Sequence, residues 1–154
     1  MISDFANAYS VLMGLHVAEI RQRESPDFEL TIYETGELLG VEITGLHQDS
    51  REAKINYNKL HEWGAFTGDF GKLAGALQAR LDAKARLSFK YQFSGPMFLA
   101  VWVGSIVFSH ADDARRLARD VLMPPSRFHR VFLVHKGSPP GDSALTEIVV
   151  NPAG

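Results

Sequence analysis

Asp27 and Glu42 are the residues whose type and placement most clearly suggest chemistry. Asp27 opens the run Ser25-Pro26-Asp27-Phe28-Glu29-Leu30, and Glu42 lies within Gly40-Val41-Glu42-Ile43-Thr44. In the first run Phe28, Leu30 and Ile32 alternate with Asp27, Glu29 and Thr31; in the second Leu39, Val41 and Ile43 alternate with Gly40, Glu42 and Thr44. A period of two is that of a β-strand, whose side chains point to opposite faces in turn. Parity therefore puts Asp27 and Glu42 on the polar face of each strand, and pairing of the strands as a hairpin would let the carboxylates converge. Two carboxylates at one spot repel, and a divalent cation between them relieves the repulsion. Mg²⁺ prefers a few oxygen ligands and keeps some of its waters, and such a water can attack a phosphodiester. The alternative is a half-buried hairpin with a solvated acidic face, since exposed acids on strands are common.

The elements that must position these residues are legible in outline. Residues 3–23 carry apolar side chains at Phe5, Val11, Leu12, Leu15 and Ile20, with Ser3 as N-cap, which predicts one amphipathic helix. Ser25-Pro26 ends it, because the residue before proline avoids the helical region. Thr35-Gly36 is the turn between the two strands. Residues 48–63 are polar and predicted helical, and Trp63 to Gly71 is a glycine-bearing loop. Asp69 or Gly71 opens a helix over 70–88, and Gly95-Pro96 closes that unit. Met97 to Val103 is an apolar run that fits a central strand buried on both faces. Ser109 and Asp112 form a capping box for a helix ending before Pro124-Pro125. Val131 to His135 and Leu145 to Val150 are two further strands. The order α-β-β-α-α-β-α-β-β predicts a single α/β domain over residues 1–154, with a mixed central sheet of about five strands flanked by helices.

Bulk properties narrow the function classes. A chain of 154 residues, 45% hydrophobic and 22% charged, is long enough to bury a sizeable core. With a net charge of −2, bulk charge alone would not hold it to nucleic acid; a local basic patch or a metal would have to. The absence of cysteine excludes disulfides and thiolate metal sites and suits a cytoplasmic protein. The N-terminus contains Asp4 and Asn7 and no basic stretch, so it does not read as a secretory signal. The apolar run 97–108 is too short to span a bilayer.

Pro26-Asp27, a spacer, then Glu42-Ile43-Thr44 at the end of an apolar strand resembles the signature of the PD-(D/E)XK nuclease superfamily. Small uncharacterised bacterial and phage-type members with a Gly-Val-Glu-Ile-Thr type strand are the nearest in pattern. The resemblance covers about residues 15–103, and the helix before, the helix after and the apolar strand 97–103 follow the order of the superfamily core. It implies a restriction-endonuclease-like fold and a Mg²⁺- or Mn²⁺-dependent hydrolase cutting DNA, with RNA a possible substrate. Asp27 and Glu42 would hold the metal with the backbone carbonyl of Ile43. An acid on the first helix often joins the site, which points to Glu19 and, second, Glu24. One position departs from the signature: Thr44 stands where a lysine would orient the attacking water and stabilise charge on the phosphate.

Some members carry that lysine on the next helix, and this chain has one to offer. At ~100° per residue, Leu73, Leu77 and Leu81 define an apolar stripe on helix 70–88, and Lys84 falls inside it. A lysine on a core-facing stripe either meets a carboxylate or snorkels to the edge. Gln78 and Arg80 lie at the stripe's border, Gln78 as a polar group able to face the site and Arg80 as a phosphate ligand.

Weaker candidates are His129 and His135, which share a strand face without an acid at metal-ligand spacing. Arg115, Arg116 and Arg119 could hold phosphates, but Asp112, Asp113 and Asp120 are near enough to pair with them. Lys84, Arg86, Lys90 and Tyr91 form a small basic and aromatic cluster at a helix end. Two functions follow: a metal-dependent nuclease, or a relative that has lost catalysis and acts as a nucleic-acid-binding or protein-interaction module, which Thr44 favours. An edge left open by the final hairpin would permit a homodimer.

Overall fold

The computed structural model describes residues 2–47, 68–105, 108, 110–135 and 144–150. The predicted helix over 48–63, most of the loop that follows it and the predicted cap Ser109 lie outside the described residues. Helix α1 spans Ile2–Met13 and buries Phe5, Ala6 and Tyr9. Gly14 ends it at φ +65°, the left-handed conformation that glycine adopts without a Cβ penalty. After a short turn the chain becomes strand β1, Val17–Gln22. The single helix expected over 3–23 is therefore two elements, and Leu15 and Ile20, which extended the helical pattern, belong to the turn and to a strand.

Strands β2 (Phe28–Ile32) and β3 (Leu38–Leu46) form the expected hairpin around Gly36, whose φ is +70°. Phe28 pairs with Val41 and Leu30 with Leu39. Helix α2 covers Phe70–Ser88, and the Asp69 carboxylate caps it by accepting the Lys72 N–H. Strand β4 is Met97–Val103, helix α3 Ala111–Asp120, strand β5 Phe128–Val134 and strand β6 Leu145–Ile148. At the start of α3 the Asp113 carboxylate accepts the His110 N–H at 3.3 Å, one residue later than the expected box.

The six strands form one sheet in the order β1-β2-β3-β4-β5-β6. Strands β3, β4 and β5 run parallel to one another, and the remaining neighbours pair antiparallel. The mixed α/β sheet is as expected, but it holds six strands rather than five, the extra one being β1. Helix α1 covers one face, where Phe5 and Tyr9 meet Leu30, Val41, Phe98 and Phe132. Helices α2 and α3 cover the other, where Leu73, Leu77, Leu81 and Leu117 meet Leu99, Val101 and Leu133. Each fully buried leucine of α2 contributes roughly 1.5–3 kcal/mol by leaving water.

Covering both faces removes the wet face assigned to β3. Glu42 and Thr44 lie on the side that α2 covers and are buried, Glu42 at 5% exposure. Parallel strands need a crossover between them, and the helix of such a crossover lies on a sheet face. Among the described residues no helix is long and apolar enough to cross a membrane.

Candidate functional site

Asp27 and Glu42 do come together, at the point where β2 has ended and β3 continues. The first β2–β3 pair is Phe28 with Val41, so Ile43 lies beyond the reach of the β2 backbone. The Asp27 side chain takes its place: its Oδ2 accepts the Ile43 N–H at 2.8 Å. The Asp27 N–H in turn donates to Glu42 Oε1 at 3.1 Å. Alternation along the strand turns the Ile43 carbonyl to the same edge as its N–H, towards Asp27. Close packing at Gly40 holds the segments together, since a Cβ there would stand 2.8 Å from Pro26 Cγ and 3.0 Å from the Phe93 ring. The Ser25-Pro26 peptide is cis.

Lys84 reaches this pair from α2. Its Nζ lies 2.8 Å from Glu42 Oε2, with the two side chains 19% and 7% exposed. It does not snorkel; it meets the carboxylate that its place on an apolar stripe required. The Tyr91 hydroxyl donates to the same Glu42 oxygen at 2.5 Å. In the sequence Tyr91 stands out only as part of a basic and aromatic cluster. Its burial on this face, three residues beyond α2, is what the sequence pattern did not show.

Two residues that no motif marked hold Tyr91 in place. Arg127 donates to the Tyr91 carbonyl at 2.5 Å and to the Phe93 carbonyl at 2.7 Å. Ser88, fully buried, donates to the Ala85 carbonyl and accepts the Arg127 N–H at 2.9 Å. The chain between α2 and β4 is thus pinned to the segment before β5.

The electrostatics divide the two acids. Burial pushes the Asp27 carboxyl above its usual value; the Ile43 N–H opposes the shift and the charge of Glu42 adds to it. Burial would also raise Glu42, but hydrogen bonds from Lys84 and Tyr91 outweigh it and hold that carboxyl below its usual value. Tyr91 is raised, first by burial and then by its bond to Glu42. Of the two acids Glu42 is therefore the readier to ionise and Asp27 the more reluctant. A hard cation near Asp27 would reverse that reluctance.

Two other expected site residues are elsewhere. Glu19 lies on β1, not on a helix, and its exposed carboxylate is 3.5 Å from Arg21. Gln78 donates to the Leu122 carbonyl at 2.8 Å and accepts the Leu122 N–H at 2.9 Å, tying α2 to the end of α3. Glu24, Arg80, Arg86 and Lys90 are exposed. Arg115 pairs with Asp112, and Arg116 lies over the Phe70 ring at 3.8 Å. Arg119 and Arg115 line a groove of about 390 Å³ between α3 and β6, which no residue of the acidic cluster borders. His129 Nδ1 faces the Met97 N–H and His135 Nε2 faces Thr146, so the two rings hold separate partners.

Two carboxylates and one carbonyl suit Mg²⁺, which commonly binds through one or two carboxylates and keeps its waters. Among the described residues no three His, Cys, Asp or Glu side chains gather as a metal cluster. Comparison with family models, with curated proteins and with solved structures gives no match.

Proposed function

We propose that the chain is a divalent-metal-dependent nuclease of restriction-endonuclease-like architecture, acting on phosphodiester bonds of DNA. The observation that carries this reading is the convergence of Lys84 on the Asp27–Glu42 pair. Thr44 cannot supply a positive charge, and the ammonium of Lys84 stands beside the acid in its stead. The order hairpin, helix, parallel strand supports the resemblance, although strand β1 stands directly before the hairpin where the resemblance expected a helix. Asp27 and Glu42, with the Ile43 carbonyl, would hold Mg²⁺ or Mn²⁺. Bound there, the metal would lower the pKa of a water and polarise the scissile phosphate. Lys84 would orient the nucleophile and offset charge developing on the phosphate oxygens. Glu42 holds Lys84 in place, and Tyr91 fixes the carboxylate that both share.

One observation favours a second reading, an inactive relative that binds nucleic acid or protein. Both Glu42 oxygens are already engaged, Oε1 by the Asp27 N–H and Oε2 by Lys84 and Tyr91. A satisfied cluster of this kind can serve the fold alone. Cleavage of supercoiled and single-stranded DNA with Mg²⁺ or Mn²⁺, alongside calorimetric metal titration, separates the two. Activity is expected in the native protein, with Asp27→Asn abolishing it and Lys84→Met lowering the rate about 10²-fold or more. A folded protein that binds neither metal and cuts no DNA or RNA would sink the nuclease reading and leave the inactive relative.

A further inference from the structure

The β1 edge carries a pattern that fits itself. Among the described residues nothing pairs with its outer side, and five of its six residues are exposed. Open edges are usually guarded by a proline, a β-bulge or charged side chains. Strand β1 has no proline, its one register shift lies at its start between Val17 and Glu19, and its charges are Glu19 and Arg21, of opposite sign on one face. Their side chains are 59% and 65% exposed, and the 3.5 Å contact between them is loose. Ile20, between them, points to the other face and is 40% exposed.

The backbone is set for the same partner. The Arg23 N–H donates inward to the Asp27 carbonyl, so alternation turns the polar groups of Arg21 and Glu19 inward and those of Ile20 and Gln22 outward. We propose that β1 pairs antiparallel with β1 of a second copy about a two-fold axis through Ile20, joining two sheets into one. In that register Ile20 faces Ile20 as a hydrogen-bonded pair. Glu19 then faces Arg21 of the second copy at a non-hydrogen-bonded position, where side chains approach most closely. The symmetry repeats the ion pair, so four charges alternate in sign across the junction. An edge contact of this length is small for an interface, so the association is concentration-dependent rather than permanent. The closed dimer also occupies an edge that would otherwise template aggregation.

Sedimentation equilibrium of the full chain tests the register. The native mass is expected to rise with concentration from 17.1 kDa towards twice that value. Glu19→Arg sets an arginine opposite Arg21 of the second copy, and Arg21→Glu sets a glutamate opposite its Glu19. Each variant alone is therefore expected to associate about tenfold more weakly or worse. An equimolar mixture of the two restores opposite charges at both positions and is expected to recover the association. A native protein that stays monomeric at every concentration overturns the proposal, as does a mixture no better than its components. Amide exchange on the unaltered protein is independent of how the variants fold: Ile20 must gain protection as concentration rises, and unchanged exchange there overturns it too.

Discussion

At the scale of single residues, the acidic pair holds two groups whose protonation runs in opposite directions. The raised Asp27 carboxyl means that the folded chain binds a proton more readily than the unfolded one. Between the ordinary aspartate value and that raised value, stability therefore falls as pH rises. The lowered Glu42 has the reverse sign: its contribution is present above the ordinary glutamate value and is lost as pH falls through the lowered one. Ionising Asp27 thus costs the fold stability, a cost that a bound cation would remove. Asp27→Asn keeps an acceptor for the Ile43 N–H while removing the charge. In EDTA at pH 7 this variant is expected to melt above the native protein; if Mg²⁺ binds at the proposed site, it is expected to raise the melting temperature of the native chain and not that of the variant. A lower melting temperature in EDTA would show that the Asp27 charge stabilises the fold. The three convergent residues were legible because parity, an apolar helical stripe and a short motif each leave a mark in sequence. Gln78 was not separable from them by pattern, since its partner is the backbone of Leu122, 44 residues away.

At the scale of elements, the split of residues 3–23 into a helix and a strand has a local cause. Leu12, Leu15 and Ile20 keep a helical spacing across Gly14, and only the glycine marks the break. Read as a C-terminal cap, it would have moved Glu19 off the helix and away from the site. The face of β3 is a different case: parity divides its residues into two sets, but it cannot tell which set a helix will cover. The link between α2 and β4 left no mark at all. Arg127 acts there through backbone carbonyls 34 and 36 residues away, and an arginine so used looks like any other in the sequence. Replacing Arg127 with Met leaves two carbonyls without their charged donor. The expected cost is about 2–4 kcal/mol in urea unfolding. Because Tyr91 is held through that carbonyl, affinity for Mg²⁺ at the proposed site should fall in the variant under conditions where it remains folded. A loss of stability with unchanged metal affinity would confine Arg127 to the fold.

At the scale of the molecule, one sheet serves two cores. Among the described residues the α1 layer and the α2–α3 layer pack on its opposite faces, with Val41 and Phe98 facing one way and Leu99 and Val101 the other. The α/β class was legible because strand and helix periods alternate along the chain. The sheet order was not, since pairing β3 with β4 joins strands separated by a whole helix and leaves no local signal. A shared sheet couples the layers: neither helix layer can leave without exposing strands that the other packs on. Leu77→Ala removes packing from the α2 layer and is expected to cost about 2–5 kcal/mol. Trp102 is packed in the opposite layer, against the α1 face. In a Trp63→Phe background its fluorescence should report the same lowered urea midpoint as far-UV circular dichroism, with one transition in both. If fluorescence kept the native midpoint while dichroism shifted, the two layers would unfold separately and the sheet would not couple them.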